Sequence, residues 1–443
     1  MNTICAISTP YGSGGIAIVR VSGAEAITLV DSLFHAKKSL TSAKAYTIHY
    51  GCIRLGDEVL DQVLVSVFRA PHSFTGEDVV EIACHGSLYI QQTLLQWLVD
   101  AGCQLAKAGE FTQRAFLNGK MDLTEAEAVA DLIAAQTKAE KDLALSQLRG
   151  GISNELAALR EQLLTFTSLI ELELDFADHE ELEFADRIQL NELAKEIDTK
   201  ISSLVTSFKT GNAIKQGIPV AIIGAPNVGK STLLNTLLGE ERAIVSDIQG
   251  TTRDTVEDTL VLGGMLFRFI DTAGMRQTDD TIENMGIERS RQAAQKATVI
   301  IHLQDATHPV STLSQIDNIE DKHIIHVYNK VDLMPTFIAE KNSIGISAKN
   351  GNIEELQQQL IAFAEEQCNM QNSVTISNTR HYEALVRALD AIKRVQEGLQ
   401  LQISGEFLSM DLQECLAALG EITGQITSQE VLNNIFGKFC IGK

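Results

Sequence analysis

No two of the seven cysteines stand in a Cys-x-x-Cys spacing, and their number is odd. That argues against a disulfide framework and against a zinc site. Nor is there an unbroken apolar run of about 18 residues, the length a bilayer span requires. Met1–Arg20 lacks a basic start followed by a long apolar stretch, so no secretory leader is expected and the chain reads as cytoplasmic, with no membrane partner. Bases are scarce: 36 Lys and Arg face 58 Asp and Glu, a net charge of −22. Such a surface repels phosphate backbones, so nucleic acid is held only by a local basic pocket or through a basic partner. Internal repeats and low-complexity segments are also missing.

What is present is an ordinary globular mixture, 44% hydrophobic and 21% charged over 443 residues. At roughly 100–200 residues per domain, that length suggests two to four domains. Residues 1–119 read as mixed α/β. Thr3–Ser8 and Ile16–Val21 look like strands joined by a turn at Gly12, Gly14 and Gly15, and Ser22 is placed to cap a helix from about Ala24. Ala45–Tyr50, Gln62–Phe68 and Val79–Ala83 read as further strands, Ser87–Asp100 and Thr112–Asn118 as helices. From Leu123 the pattern turns helical. Leu145, Leu148, Ile152, Leu156, Leu159, Leu163, Phe166 and Ile170 recur every three or four residues. They predict one apolar face over about seven turns, with a kink at Gly150 and Gly151. Residues 161–186 hold nine acids and no base, which fits a solvated helix face or an acidic docking surface.

Residues 219–365 alternate strand and helix, and residues 378–436 are helical again, as in Tyr382–Gln396 and Leu408–Leu419. Neither helical part closes its own core, which implies one helical domain interrupted by an inserted α/β domain.

The inserted domain carries the chemistry. The apolar run Ile218–Ile223 feeds Gly224-Ala225-Pro226-Asn227-Val228-Gly229-Lys230-Ser231, a complete G-x-x-x-x-G-K-S, and a helix follows from Thr232. Backbone N–H groups of such a loop wrap phosphates, and the helix N-terminus adds positive potential. Lys230 should reach the β- and γ-phosphates and Ser231 should ligate Mg2+. Gly250-Thr251-Thr252-Arg253-Asp254 resembles a switch segment in which Thr252 binds Mg2+ and senses the γ-phosphate. Asp271-Thr272-Ala273-Gly274 follows the strand Phe267–Ile270, placing Asp271 near Mg2+ through water and the Gly274 N–H at the γ-phosphate. Asn329-Lys330-Val331-Asp332 follows Ile324–Tyr328. The Asp332 carboxylate can accept both N–H groups of a guanine edge, which adenine does not offer, so GTP is favoured over ATP. Ser347-Ala348-Lys349 completes the base pocket. Met275 stands where Ras-like enzymes place a water-orienting glutamine, so hydrolysis needs another residue, ion or protein; Glu283, in the following region, is either that residue or a surface helix glutamate.

The whole chain resembles the bacterial tRNA-modification GTPase family MnmE (TrmE). The resemblance is carried by residues 14–23 (GGIAIVRVSG), 73–78 (SFTGED) and 109–118 (GEFTQRAFLN), by the phosphate loop, and by the terminal Phe439-Cys440-Ile441-Gly442-Lys443. It implies an α/β tetrahydrofolate-binding-like and dimerising domain at 1–119, a discontinuous all-α domain at 120–216 and 377–443, and a P-loop, Ras-like GTPase domain at 217–376. It further implies a homodimer that joins an FAD-dependent partner, MnmG (GidA), in a heterotetramer. That complex adds an aminomethyl-type group, usually carboxymethylaminomethyl, to C5 of the wobble uridine of certain tRNAs. The one-carbon unit would come from 5-formyltetrahydrofolate or a related folate, held by Arg20, Glu81, Lys120 and the tail residue Lys443.

By the same resemblance, K+ is coordinated by Asn227 and oxygens of Ser246, Ile248 and Thr251, within a nucleotide-contacting segment Ser246-Asp247-Ile248-Gln249-Gly250-Thr251. Two GTPase domains pair across the cation. Glu283 matches the family's catalytic glutamate, and Cys440 is a functional thiol; read from the residues alone, Cys440 is equally a small buried apolar residue near a frayed end. A regulatory or ribosome-assembly GTPase with no covalent role, and a one-carbon transferase gated by its GTPase domain, are the competing readings.

Overall fold

The computed structural model describes residues 2–175, 187–240, 258–270, 291–310, 319–334, 337–338, 342–369 and 374–442. They form two compact units, one of residues 1–133, 147–160 and 416–443, the other of 134–146 and 161–415. The architecture is multidomain, α/β with an all-α part.

The first unit is built on a seven-stranded sheet in the order β3-β4-β5-β6-β2-β1-β7. Its strands are β1 (Ile4–Ile7), β2 (Gly14–Ser22), β3 (Phe34–His35), β4 (Thr47–Leu55), β5 (Glu58–Phe68), β6 (Val79–Gly86) and β7 (Gln104–Leu105). All neighbours run antiparallel except β1 and β7. Alternation with a period of two sends Val19, Val21, Val63, Val65, Val67 and Ile82 into one core with α1 (Ala26–Leu33) and α2 (Leu88–Asp100). The intervening residues, Arg20 and Glu81 among them, belong to the other face, and these two are direct partners across β2 and β6. The two-residue strands β3 and β7 are too short to leave a periodic signal in the sequence.

One expectation fails here. Ser22 does not cap a helix: α1 begins at Ala26, with Glu25 at the cap position and no side-chain capping bond. Ser22 instead ends β2, fully buried, and its hydroxyl bonds Thr75 Oγ1 at 2.7 Å and donates to Glu77 Oε2 at 2.8 Å. A buried hydroxyl is satisfied by the nearest strong acceptor, and the 73–78 loop brings a carboxylate to it. Glu77 in turn accepts from Arg114 at 3.1 Å, and Arg114 also donates to Glu110 at 2.9 Å. This network joins the loop to α3 (Glu110–Leu117).

Helix α4 (Leu123–Ala134) shares a small core with the C-terminal residues: Leu123 and Ala126 pack with Leu432, Phe436 and Phe439. The kink expected near Gly150 is a complete break, because Gly150 adopts φ +80°, and the helix divides into α5 (Lys138–Leu148) and α6 (Gly151–Asp175). Ile152, Leu156, Leu159, Leu163, Phe166 and Ile170 are all buried along α6, whereas Leu145 and Leu148 are only half-buried and Ala144 and Gln147 are the buried residues of α5. The break resets the face. Glu161 and Glu171 lie on the solvent side of α6, as the solvated-face reading expects; the acidic residues beyond Asp175, up to Asp186, lie outside the described residues.

In the second unit a long helix, α7 (Arg187–Gln216), leads into a six-stranded sheet of order β13-β12-β11-β8-β10-β9. The strands are β8 (Ile218–Ile223), β9 (Asp258–Leu262), β10 (Met265–Phe269), β11 (Val299–Asp305), β12 (His323–Asn329) and β13 (Ser343–Gly345). Only the β9–β10 pair is antiparallel. Val220, Ile222, Phe267, Phe269, Ile301, Leu303 and Val327 line one face with Leu233, Leu234 and Leu237 of α8 (Lys230–Glu240) and Leu356 and Leu360 of α9 (Glu354–Asn369). This near-continuous apolar run in each parallel strand is the pattern of a sheet covered on both sides. After the sheet, α10 (Thr379–Gln400) returns against α7, where the Phe208 and Tyr382 rings stack at 4.3 Å. Two more helices, α11 (Gly405–Thr423) and α12 (Gln429–Phe436), complete the chain.

Candidate nucleotide-binding site

The carboxyl ends of parallel strands are where α/β sheets bind ligands, and the described motifs, at 224–231, 329–332 and 347–349, gather there. Strand β8 delivers Gly224 and the phosphate loop, and α8 starts at Lys230. Glycine is required twice. A Cβ on Gly224 would meet the Leu303 carbonyl at 2.2 Å, and one on Gly229, at φ +99°, would meet Asn329 Nδ2 at 2.4 Å. The Lys230 ammonium donates to the Gly224 and Ala225 carbonyls at 2.7 and 2.9 Å, and its burial pushes its pKa down. It is thus held within the loop at the head of α8. Ser231 and Thr232 form the first turn of that helix, Ser231 half-buried and Thr232 exposed.

Strand β12 delivers the segment Asn329-Lys330-Val331-Asp332. Asn329, 3% exposed, donates from Nδ2 to the Val228 carbonyl at 2.8 Å and accepts the Ala348 N–H at Oδ1 at 3.0 Å. One amide thereby joins the phosphate loop to the Ser347–Lys349 segment. Lys330, at φ +65°, reaches the Asn227 carbonyl at 2.9 Å. Asp332 lies exposed, and its Oδ1 accepts from the Ser347 hydroxyl at 2.6 Å. Ala348 is buried, Lys349 exposed, and the Thr236 hydroxyl of α8 fixes the Ala348 carbonyl at 2.8 Å. Val228 and Asn329, 101 positions apart, are thus tied together, and with them the loop at 224–230 and the 329–332 and 347–349 segments.

The side chain of Asn227 is exposed and bonds to no described residue, with its backbone at φ +61°. That leaves an amide oxygen at the lip of the loop, a donor type suited to a monovalent cation, and Ser231 places a hydroxyl at the helix start, suited to Mg2+. Their companions in the sequence reading, Ser246, Asp247, Ile248, Gln249, Gly250, Thr251 and Thr252, then Asp271, Thr272, Ala273, Gly274, Met275 and Glu283, lie outside the described residues.

A second polar site sits on the first unit's sheet. Arg20 Nη2 and Glu81 Oε1 pair at 2.8 Å, and the guanidinium lies over the rings of Phe74 and Phe111 at 5.7 and 5.6 Å. Lys120 is exposed and donates to the Pro71 carbonyl at 3.1 Å, on the same 71–76 loop that supplies Phe74. The C-terminal tail arrives at this site. Ile441 bridges Ala108, and the Gly442 carbonyl accepts from Ser8 Oγ at 3.1 Å and Arg20 Nη1 at 3.4 Å. Cys440 is exposed, which removes the buried-apolar reading; its carbonyl accepts the Gly109 N–H at 3.4 Å. Lys443 lies outside the described residues. Phe74, Phe111 and Gly442 lie in the motifs at 73–78, 109–118 and 439–443 but are not among the expected site residues, since nothing local to them signals that the chain end returns to β2.

Among the described residues no group of three or more His, Cys, Asp or Glu side chains is placed to hold a metal, and no helix is long and apolar enough to cross a membrane.

The family described as the MnmE helical domain matches residues 123–440, and that described as the N-terminus of the GTP-binding protein TrmE matches residues 3–120. The chain is 55% identical over 461 residues to the tRNA modification GTPase MnmE of Parabacteroides distasonis, covering all of both chains. It is 54% identical to that of Bacteroides fragilis and 49% identical to that of Flavobacterium johnsoniae, in each case over 100% of this chain and 99% of the relative. Among solved structures, the G domain of the T. maritima FeoB iron transporter aligns over 33% of this chain and 98% of its own at 22% identity, with a TM-score of 0.25, too low to bear on the fold.

Proposed function

Because this chain belongs to the MnmE family of tRNA modification GTPases, and is a GTP hydrolase of tRNA modification, we propose that its hydrolysis is K+-dependent and serves one covalent reaction. With an FAD-dependent partner of the MnmG (GidA) type, it adds a carboxymethylaminomethyl or aminomethyl group to C5 of the wobble uridine of certain tRNAs, drawing one carbon from a tetrahydrofolate. The observation that carries this reading is the presence in one chain of two sites: the hydrogen-bonded motif segments that carry Lys230, Asn329 and Asp332, and the Arg20–Glu81 pair that the C-terminal tail reaches.

Each side chain then has a task. Asp332, aligned by Ser347, reads the guanine edge. Asn329 keeps base and phosphate segments in register. Lys230 and the loop N–H groups take the phosphates, and Ser231 with Thr252 hold Mg2+. Asn227, with oxygens of Ser246, Ile248 and Thr251, holds K+ when two GTPase domains pair in the homodimer. A fixed cation stabilises the charge that builds as the γ-phosphoryl leaves. Glu283 orients the attacking water, the task Met275 cannot perform. In the first unit, Arg20, Glu81, Lys120 and Lys443 hold 5-formyltetrahydrofolate or a related folate, with the Cys440 thiol beside it. The segments 1–119, 120–216, 217–376 and 377–443 are the corresponding domains, and the protein works in the cytoplasm.

A ribosome-assembly GTPase without covalent chemistry is the weaker reading, because the likeness to MnmE relatives runs through the N-terminal domain and the tail, not the GTPase core alone.

The test of the hydrolysis reading is GTP turnover in KCl and NaCl at equal ionic strength. Turnover is expected to be much faster in KCl and to lose most of that difference in Asn227→Ala. Glu283→Ala should lower turnover about 10²-fold or more with little change in nucleotide affinity. Equal rates in the two salts contradict the cation mechanism, and a fully active Glu283→Ala enzyme contradicts the water-orienting role.

A further inference from the structure

Strand β11 lies between the strand that delivers the phosphate loop and the strand that delivers the base-reading segment. Its last residue, Asp305, is in register with Asn329. The Asp305 carboxylate is set by its own chain: Oδ1 accepts the Thr307 N–H at 2.9 Å and the Thr307 hydroxyl at 2.7 Å, a local turn that fixes the side chain. The other oxygen, Oδ2, receives the Lys330 ammonium at 2.6 Å, with the Asp305 side chain only 16% exposed. The same ammonium donates to the Asn227 carbonyl at 2.9 Å. Lys330 is therefore a strut between the base-reading segment and the phosphate loop, and Asp305 is its anchor. The strut stands on a left-handed residue two positions before Asp332.

We propose that Asp305 is a specificity-positioning residue of the guanine pocket: by holding the Lys330 ammonium against the Asn227 carbonyl, it fixes Asp332 and the phosphate loop at the spacing of a bound guanine nucleotide. The proposal rests on the reading of Asp332 as the guanine acceptor. Burial opposes the charge on Asp305, but the hydrogen bond from Lys330 outweighs it, together with those of Thr307, and holds the carboxyl at about 2. The anchor thus stays charged throughout the neutral range. Without it the ammonium keeps one carbonyl and water, and the turn that carries Asp332 loses its tie. Charge-assisted bonds of this kind are the strong ones. The strut ends at the Asn227 backbone carbonyl and involves neither the Asn227 side chain nor Lys230, so its loss weakens the hold on the nucleotide more than it slows chemistry.

The experiment follows displacement of a fluorescent GDP from the full chain, together with GTP affinity, kcat at saturating GTP and the thermal midpoint. Asp305→Ala is expected to release GDP about tenfold faster (~1.4 kcal/mol), to weaken GTP binding to a similar degree, and to change kcat by less than about twofold. Asp305→Asn keeps an oxygen toward Lys330 but loses the charge, and is expected to fall between. An unchanged dissociation rate in both Asp305 variants, while Asp332→Asn releases GDP faster, overturns the anchor. A fall in thermal midpoint and kcat together at an unchanged dissociation rate overturns it as well, in favour of a purely structural role. An Asp332→Asn protein that binds guanine nucleotides normally overturns the guanine reading itself, and the proposal with it.

Discussion

Ser347, itself 1% exposed, donates its hydroxyl to Asp332 Oδ1 at 2.6 Å and so orients the carboxylate proposed to read the base. The pair converts an exposed acid into an oriented acceptor. In Asp332→Asn a charged acceptor becomes partly a donor, so GTP binding should weaken by more than about 2 kcal/mol. A xanthine nucleotide, with a carbonyl in place of the amine, should then bind better than GTP. Competition titration with both nucleotides measures this; unchanged GTP affinity would mean that Asp332 does not read the base.

Arg20 and Lys120 are the cations proposed for the folate. Arg20 is held between Phe74 and Phe111 and paired with Glu81, so Arg20→Ala also leaves Glu81 without its partner. Neutralising either residue should reduce 5-formyltetrahydrofolate affinity and leave nucleotide affinity alone, because effects at sites without shared partners add independently. Isothermal titration decides. Wild-type folate binding in both variants removes the folate assignment.

Much of this was legible in the sequence because the signals were local and strong. The phosphate loop needs a strand, a glycine-rich turn and a helix in immediate succession, and Ile218–Leu238 supplies all three. The parallel strands β8 and β12 read as apolar runs because both faces of the sheet are covered. What the sequence hid is long-range. Ser22 looks like a helix cap until the 73–78 loop brings Glu77 to it. Gly150 reads as a kink, and only its left-handed backbone shows a break. Asp305 is a single acid at the end of an apolar strand, and its meaning depends on Lys330, which the chain supplies 25 residues later.

His302 makes stability depend on pH. It is 1% exposed on β11, and burial, aided by the neighbouring His326, lowers its pKa from an ordinary 6.5 to about 4. Between those values the unfolded chain takes up a proton that the folded chain refuses. Stability should therefore be level above about pH 6.5 and fall as pH drops toward 4. Thermal midpoints across that window should decline less in His302→Gln than in the wild type. Parallel declines would show that other groups dominate the acid response.

The central claim, that this GTPase serves covalent modification of tRNA, is tested most directly by mass spectrometry of wobble uridines in tRNA from a strain lacking the gene. The strain is complemented either with the wild-type chain or with Lys230→Ala, whose phosphate loop lacks its ammonium. The account predicts that the C5 aminomethyl-type group is missing without the gene, restored by the wild type and not restored by Lys230→Ala. Fully modified wobble uridines in the deletion strain would contradict it.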